Sequence, residues 1–570
     1  MVYNSFSNDL ESDMNFSDFE LKIVYSVDGK SVETSDGDSV LGVVKTVADD
    51  RITVTLNASR KVVVLSAKLL AKREYPADEA FFAAGYQSWT TSREYTSKDR
   101  QRGLRNLGNL PVVRQFAVPT GDYDFAAYGR KLYHSVGYTY FRNGDNLEFF
   151  GSLDEKSGFT LFYADMKQKL FAVTKDVEGL VFVGEYKLFD VVKYEGGYDE
   201  VFDKYFAAYP LKFPKRAEHL AGYTSWYNYF QKIDEKIILR DLEGLSAVAG
   251  DKANIFQIDD GYEPMVGDWL LDNKVKFPKG MKYIADAVHS KGYLAGLWVA
   301  PFSAQFKAKI VTEHPDWFLT DEKGKKIIGG FAWNGFYVLD TEKPEVRDYV
   351  KKVFRRVFDE WGFDMVKLDF LYSACILPRN GKTRGQLMHE AMEFLRECVG
   401  DKLLLGCGVP MMSSFGFVDA CRISCDVELS FADKFYVKCT NQEVISAKNA
   451  MNNSVFRRHL NKRIFLNDPD VFFLRDGGMK RADFTFEQKK LLAKVNNMFG
   501  NVLFVSDNAA EYDSAKKQVL LDAYKPFDGK ILRAYRVSRD RIRVDYVTDG
   551  VEKRFEFDLA TGENTDRAVK

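Results

Sequence analysis

Apolar and polar positions alternate along the first third of the chain, up to about Gly197. Segments such as "FELKIVYSV", "RITVTLN", "KVVVLSAKLLAKREY", "GFTLFYAD" and "GLVFVGEYKL" are rich in β-branched and aromatic residues, which suit a pleated, half-buried surface. Turn signals such as "NG", "DEKSG" and "EGG" separate them. The pattern predicts a β-sandwich over residues 1–213, with a helix from Tyr198 to Tyr209 near its end.

After Pro214 the pattern changes to short apolar runs that alternate with helical segments such as "DEKIILRDLEGLSAVA" and "TRGQLMHEAMEFLRECVG". Eight runs are candidate strands: "AGYTSW", "NIFQIDD", "YLAGLWVAP", "MVKLDF", "KLLLGCG", "ACRISCD", "RIFLNDPD" and "NVLFVSD". Alternating strands and helices indicate a parallel sheet buried on both faces. Eight such units favour a (β/α)8 TIM barrel over residues 214–524, with a doubly wound sheet as the alternative. Residues 525–570 are again strand-like and predict a small C-terminal antiparallel β domain.

Composition narrows the class of protein. The 81 basic and 82 acidic residues nearly cancel, so charge gives no reason to expect a nucleic acid or an anionic membrane as partner. No apolar run is long enough to span a bilayer, and the beginning of the chain lacks the features of a secretory signal. The six cysteines form no CxxC pair and the six histidines no HExxH motif. We therefore expect a cytoplasmic protein with free thiols, no metal site and no cofactor.

Charged residues recur where the candidate barrel strands end. Four strands end in such groups: Asp259 and Asp260, Lys367 and Asp369, Arg422 and Asp426, and Asp468 and Asp470. Lys367 and Asp369 are two residues apart in a strand and so share one face, where a buried charge is costly unless it is paired or used. Catalytic residues of (β/α)8 enzymes lie at this end of the strands. For Asp468 and Asp470 a helix N-cap is the plainer interpretation, and we expect it for at least one of them.

Asp369 and Asp426 could form a catalytic pair at the mouth of one barrel. A carboxylate beside an ammonium and a guanidinium stays ionised and has a lowered pKa, which suits a nucleophile. A second carboxyl in a drier, less positive position can keep its proton and act as a general acid. Two carboxyls with divided roles are what glycoside hydrolysis requires, although the sequence does not give their separation.

Tryptophans also gather near the strand ends. Trp226 in "TSWYNYF", Trp298 in "GLWVAP" and Trp333 in "FAWNG" could pack against the apolar C–H faces of sugars. For any single tryptophan core packing is the alternative, and we prefer it for Trp361. Trp226, which is followed by Tyr227 at a strand end, favours a pocket wall.

The motifs "FQIDDGYE", "GLWVAPF", "MVKLDF", "GCGVP" and "CRISCD", in this order and spacing, resemble those of glycoside hydrolase family 36, the bacterial α-galactosidases. The resemblance covers the whole predicted barrel and, less specifically, both flanking β domains. It implies an N-terminal β-supersandwich, a (β/α)8 barrel and a C-terminal antiparallel β domain. One departure is Cys425, directly before Asp426, which puts the local loop shape in question.

Carried over by position, the resemblance implies a role for each site residue. Asp369 would be the nucleophile and Asp426 the acid/base of a retaining exo-α-galactosidase that acts on terminal α-D-galactosides. Among the substrate-binding residues, Asp259 and Asp260 would bind the axial O4 and O6 of galactose, and Lys367 and Arg422 would bind further ring hydroxyls. Trp226 and Tyr227 would form pocket walls, and Cys407 and Gly408 would lie near the 2-position. Trp89 of "GYQSWTT" would be inserted into the mouth from the N-terminal domain. A contact between identical chains could contribute to that mouth.

Other functions remain open at this point. Within the family the alternatives are an α-N-acetylgalactosaminidase and an α-galactosyl transferase. A lysine on a barrel strand can form a Schiff base, as in class I aldolases, and strand-end carboxylates can bind Mg²⁺, as in enolase-like barrels. The Lys-x-Asp pair argues against the aldolase, because a nearby carboxylate raises the pKa of a lysine, and the tryptophans argue against both. A non-catalytic sugar-binding protein would not need two carboxyls at these positions.

Overall fold

The structure, a computed structural model, describes residues 14–99, 110, 118–434 and 445–569. Its first part is a 12-stranded antiparallel sheet. The strands are Glu20–Val27, Lys30–Thr34, Leu41–Ala48, Arg51–Lys72, Ala80–Ala83, Arg93–Tyr95, Leu132–Val136, Tyr138–Asn143, Asn146–Ser152, Thr160–Asp165, Leu170–Lys175 and Val181–Gly197.

The two faces of this sheet bury different neighbours, as the period of two in the sequence predicts. Phe141 and Phe150 lie in an inner cluster to which nearly every strand of the sheet contributes. Tyr140 and Phe149, each one residue earlier in its strand, lie in the cluster that continues into the barrel. One face therefore closes the N-terminal core, and the other joins that core to the rest of the molecule.

The middle of the chain forms an eight-stranded, nearly closed parallel barrel. Its strands are Leu220–Thr224, Ile255–Ile258, Leu294–Val299, Met365–Leu368, Leu403–Gly406, Ala420–Arg422, Leu466–Asp468 and Val502–Val505. Seven of them fall within one of the eight apolar runs, and the first begins one residue before its run. Nearly every residue in them is buried, as a sheet covered on both faces requires. The predicted (β/α)8 barrel is confirmed, and the doubly wound alternative is wrong.

Most of the helices surround the barrel, and the first, Tyr198–Ala208, packs on the N-terminal sheet. The α-helices are Tyr198–Ala208, Trp226–Tyr229, Glu235–Ala249, Met281–Ser290, Lys309–Glu313, Pro344–Arg355, Arg384–Val399, Ala447–Phe456, Phe486–Phe499 and Ser514–Tyr524. Local capping sets several of their starts: the Asp234 carboxylate accepts the Ile237 N–H at 2.8 Å, and Thr383 and Gln386 form a capping box.

A long excursion separates the third and fourth barrel strands. It contains a three-stranded antiparallel sheet of Ser303–Gln305, Ile328–Gly330 and Phe336–Val338. The apolar run "FYVLD" belongs to this small sheet and not to the barrel. Its connection from Gly330 to Phe336 carries Trp333 toward the mouth of the barrel.

The C-terminal sheet has four antiparallel strands, Lys530–Arg536, Arg541–Thr548, Val551–Asp558 and Asn564–Ala568. Phe555 and Phe557 belong to the same hydrophobic cluster as the barrel. The domain limits 1–213, 214–524 and 525–570 stay predictions. Within the described residues, no helix is both long and apolar enough to cross a membrane.

Candidate active site

The carboxyl ends of the eight parallel strands meet at one rim, where a cavity of ≈ 440 Å³ opens. Among the residues singled out from the sequence, these line it: Trp89, Trp226, Tyr227, Asp259, Asp260, Trp298, Trp333, Lys367, Asp369 and Asp426. Arg422 and Cys407 are buried behind the wall, and Gly408 packs beneath Trp89. Residues from five strand ends, from the excursion and from the N-terminal domain thus converge on one pocket.

Asp369 follows directly on the strand Met365–Leu368, and two N–H donors hold its carboxylate. The indole Nε1 of Trp298 donates to Oδ2 at 3.1 Å, and the backbone N–H of Phe370 donates to Oδ1 at 2.7 Å. The residue is only 8% exposed, and that exposure faces the cavity. Because each oxygen has one fixed donor, the group is oriented while lone pairs on both oxygens stay available.

Lys367 does not pair with Asp369. Its ammonium lies 2.9 Å from Oδ2 of Asp259, and the same oxygen accepts from the Gln257 amide at 2.9 Å. Burial disfavours the charged ammonium, but the Asp259 carboxylate outweighs it, so the pKa of Lys367 is raised. The expectation that Lys367 serves partly to keep Asp369 charged is therefore corrected, since the direct partner of its ammonium is Asp259. The two side chains share a face, but the neighbouring strand offers Lys367 a nearer partner.

Arg422 is shared among three carboxylates. Its guanidinium lies 3.0 Å from Asp426, 3.1 Å from Asp468 and 2.9 Å from Asp470. Asp468 and Asp470 cap no helix, so the N-cap expectation is wrong for both. Asp468 instead accepts the N–H of Asp470 at 2.9 Å, and Asp470 accepts the N–H of Val427 at 2.7 Å. The pair positions both Arg422 and the backbone next to Asp426.

Asp426 has a markedly different charge environment from Asp369. Burial is the largest cause that raises the pKa of Asp426 to about 7, and the negative charge of Asp470 is the second. Arg422 acts in the opposite direction. Its side chain is 28% exposed and reaches the cavity. A carboxyl with this pKa carries a proton for much of the time near neutrality and can donate it.

Asp260 lies in a network that sequence reasoning missed. It accepts from the Gln231 amide at 3.0 Å and from the Trp333 indole at 2.7 Å. Burial, and to a smaller extent the negative charge of Asp260, raises the pKa of Glu263 well above its usual range. Glu263 therefore stays protonated, and its carboxyl donates a hydrogen bond to Asp260. Glu263 is the last residue of "FQIDDGYE", but the sequence alone gives no sign that its side chain turns back beneath the strand end.

Trp89 is fixed in the mouth by buried hydrogen bonds. The guanidinium of Arg457 donates to the carbonyls of Gln87 at 2.7 Å, Thr90 at 2.9 Å and Ile423 at 2.6 Å. Since Ile423 lies in the segment that leads to Asp426, the Arg457 side chain connects the Trp89 loop to that segment by hydrogen bonds. Trp89 reaches the barrel of its own chain, so no second chain is needed to bring it there.

Gly408 and Cys407 lie behind the cavity wall, and their placement near the 2-position of a sugar stays a prediction. At Gly408, φ is +56°, and a Cβ there would lie 3.0 Å from the Trp89 ring. Glycine at this position therefore lets Trp89 approach and relieves backbone strain. Cys407 is buried and does not line the cavity, and its burial raises the pKa of the thiol well above its usual value.

Three other wall residues have left-handed backbones without being glycine: Phe230 with φ 49°, Trp333 with φ 57° and Phe370 with φ 55°. Such conformations cost roughly 1–3 kcal/mol each and persist where the surroundings impose them, often at functional sites. Here they turn three aromatic rings toward one cavity. Among the described residues there is no His/Cys/Asp/Glu group that could hold a metal ion.

Comparison with known proteins agrees with this geometry. Residues 243–390 match the Melibiase family model. The chain is 32% identical over 122 residues to α-galactosidase Mel36A of Lactobacillus acidophilus, covering 20% of this chain and 16% of that protein. It is 27% identical over 166 residues to an α-galactosidase of Escherichia coli, covering 28% and 22%. The matched segments thus span less than a quarter of these relatives.

Solved structures extend the likeness to the whole fold. An α-galactosidase from Thermus thermophilus, in complex with p-nitrophenyl α-D-galactopyranoside, superposes with a TM-score of 0.69 at 23% identity, over 93% of this chain and 98% of that chain. The family 36 α-galactosidase AgaA of Geobacillus stearothermophilus gives 0.62 at 13% identity, over 95% and 75%.

The fold and the site thus define a (β/α)8 barrel with a carboxyl-lined pocket at the carboxyl ends of its strands. The resemblance to glycoside hydrolase family 36 is confirmed, with the Melibiase segment covering the strands that lead to Asp259 and Asp369.

Proposed function

We propose that this protein is a retaining exo-α-galactosidase that hydrolyses terminal α-D-galactosides through a covalent glycosyl–Asp369 intermediate. The observation that carries the proposal is the contrast between two carboxyls in one cavity. Asp369 is oriented by two N–H donors, whereas the pKa of Asp426 is raised to about 7. Retaining glycosidases need such a pair, one group as nucleophile and one as acid and base.

In the first step, an oxygen of Asp369 attacks the anomeric carbon and forms a C–O bond as the glycosidic C–O bond breaks. Asp426 gives its proton to the departing oxygen, so the leaving group departs as a neutral alcohol. Asp426 is then a carboxylate, and Arg422 at 3.0 Å stabilises that charge.

In the second step, Asp426 takes a proton from water and the water oxygen attacks the anomeric carbon from the face that the leaving group vacated. The bond to Asp369 breaks, and its electron pair returns to the carboxylate. Two displacements at one carbon restore the α configuration, and both carboxyls regain their starting protonation.

The buried end of the cavity supports the galactose assignment. Asp259 and Asp260 lie side by side at one strand end, where they can accept hydrogen bonds from an axial O4 and from O6. Trp298 and Trp333 have ring centroids 5.8 Å apart and form apolar walls beside them. Because the lining runs from the buried Asp259 and Asp260 to the exposed Lys232, the cavity suits a terminal sugar with the leaving group toward solvent.

An α-N-acetylgalactosaminidase is the second candidate. One relative, 31% identical over 146 residues covering 24% of this chain and 13% of that protein, is an A type blood α-D-galactosamine galactosaminidase of Flavonifractor plautii. Galactosyl transfer, a cytoplasmic location and an oligomer of identical chains remain predictions from the sequence. The aldolase alternative is disfavoured because the raised pKa of Lys367 keeps its amine protonated.

Hydrolysis of a panel of aryl α-glycosides tests the proposal. We expect the α-galactoside to be the best substrate and the α-glucoside to be poor, because a buried carboxylate left without its hydroxyl partner costs about 1–3 kcal/mol. Activity should survive dialysis against EDTA. Equal turnover of glucoside and galactoside, or a strict requirement for added Mg²⁺ or Zn²⁺, would refute it. Faster turnover of the N-acetylgalactosaminide would select the second candidate.

A further inference from the structure

The charged residues of the cavity lining differ between its two ends. At its closed end Asp259, which is paired with Lys367 at 2.9 Å, lies buried with Asp260 and Asp369. At the open end the charged lining residues are Lys232, which is exposed, and Lys480, which is half-buried. Within the described residues, neither ammonium has an ion pair or a side-chain hydrogen bond. Any leaving group that projects from the reaction centre toward solvent therefore passes two unpaired cations.

The backbone that carries Lys480 is firmly held. The buried guanidinium of Arg475 donates to the Lys480 carbonyl from Nη2 at 2.9 Å and from Nε at 3.2 Å. The same guanidinium is fixed by Asp507 at 2.5 Å. The preceding residue, Met479, donates its N–H to Oδ1 of Asn228 at 3.0 Å. Lys480 is thus part of a built wall and not of a free surface loop.

Lys232 follows an equally anchored turn. Its N–H donates to the Tyr229 carbonyl at 3.0 Å. The carbonyl of its neighbour Gln231 accepts from the Lys276 ammonium at 2.6 Å, and the same ammonium donates to the Gly261 carbonyl at 2.7 Å. Both lysines therefore present their side chains from fixed positions.

Aromatic rings complete this end of the cavity. Trp226 and Phe230 have centroids 4.9 Å apart, and the Lys480 ammonium lies 4.9 Å from the Phe230 centroid. An aromatic wall with cations beside it suits a leaving group that combines an apolar surface with a negative charge.

We propose that the open end of the cavity binds an anionic leaving group, one that carries a phosphate or a carboxylate, through Lys232 and Lys480. This rests on the proposed glycosidase function, because only a bond-cleaving reaction gives the open end a leaving group to bind. Both lysines are accessible to water, so the effect is moderate and sensitive to salt.

The test compares kcat/KM for matched pairs of α-galactosides. The carboxylate pair is 4-carboxyphenyl and 4-carbamoylphenyl α-galactoside, and the phosphate pair is galactosylglycerol and galactosylglycerol phosphate. We expect the anionic member to be favoured about 10-fold at low ionic strength, with the preference shrinking as salt rises. The pair in which the anionic-to-neutral ratio of kcat/KM is larger and falls with salt shows whether a carboxylate or a phosphate is preferred.

Variants show whether the lysines cause the preference. Lys480→Gln and Lys232→Gln should each reduce the anionic-to-neutral ratio, and the double variant should bring it close to one. Lys236→Gln is the matched control, because Lys236 is an exposed lysine on the neighbouring helix that does not line the cavity. It should keep the wild-type ratio.

Two results would overturn the inference alone: equal kcat/KM within both pairs in the wild type, or lysine variants that slow both members equally. The second would mean that the lysines only offset the buried carboxylates. If no α-galactoside in either pair is cleaved, the proposed function is refuted, and this inference is refuted with it.

Discussion

Asp369 and Asp426 face one cavity from two strands of the same barrel, but their surroundings differ. Asp369 accepts two neutral N–H groups, one from an indole and one from the backbone. Asp426 has a guanidinium within 3.0 Å, yet it is the group whose pKa rises to about 7. A cation beside a carboxyl therefore does not by itself keep that carboxyl ionised.

The reason is that Arg422 is already neutralised by Asp468 and Asp470. Its single positive charge is divided among three carboxylates, while enclosure penalises the charge of Asp426 and Asp470 adds repulsion. Protonation state is thus set by the whole cluster, and the next four predictions test that contrast.

The largest effect is expected for Asp369→Ala, which removes the proposed nucleophile. Turnover of every α-galactoside should fall by at least about 10⁴-fold, because no other group can form the glycosyl ester. Added azide should restore bond cleavage and yield the β-azide, since the small anion enters through the vacated face. Product analysis by NMR checks this. Loss of activity without rescue, in a variant that keeps its Tm, would leave the nucleophile unassigned.

Asp426→Ala should behave differently. Substrates with poor leaving groups should slow by about 10²–10⁴-fold, the usual contribution of a general acid. Dinitrophenyl galactoside should keep its first step because its leaving group needs no proton. Azide should then trap the intermediate and yield the α-azide. An equal loss for good and poor leaving groups would contradict the acid/base assignment.

The pH profile of kcat/KM sharpens the comparison. Asp426 must carry its proton to act as acid, and its pKa is about 7. Activity that depends on it is therefore complete below that pH and falls about tenfold per pH unit above it. The fall should vanish for dinitrophenyl galactoside with Asp426→Ala. A profile that stays level well above pH 7 with a poor leaving group would contradict the raised pKa.

The smallest effect is expected for Asp470→Asn. This change removes a charge that raises the pKa of Asp426 and leaves Arg422 freer to pair with it. The alkaline fall in kcat/KM should move to lower pH while its maximum changes little. Asp468→Asn removes another Arg422 partner and should move the profile less. A shift to higher pH would contradict the repulsion assigned to Asp470, because loss of that charge and closer pairing with Arg422 both lower the pKa of Asp426.

A further prediction concerns stereochemistry, on which the two-step mechanism depends. Proton NMR of the wild-type reaction should detect α-galactose before mutarotation. If β-galactose appears first, the enzyme inverts, and Asp369 would be a general base that activates water.

The sequence predicted the barrel because short apolar runs and helical segments alternate in a way that only a covered parallel sheet explains. It also identified the strand ends that carry charge. It could not identify partners, because they come from strands far apart in the chain: Lys367 bonds Asp259 and not its near neighbour Asp369. For the same reason the sequence could not show that Asp468 and Asp470 pair with Arg422 and cap no helix. Glu263 is only three residues from Asp260, but no sequence pattern shows that its side chain turns back beneath the strand end.

The buried contacts of Arg457 determine whether the N-terminal domain and the barrel can be encoded separately. Its guanidinium donates to carbonyls of the N-terminal Trp89 loop and to the carbonyl of Ile423 in the barrel. A gene fragment that encoded the barrel alone would remove most acceptors of this guanidinium and would expose to water the hydrophobic cluster that the barrel shares with the N-terminal sheet. We therefore expect the N-terminal domain and the barrel to be inherited together and to fold only when they are expressed together.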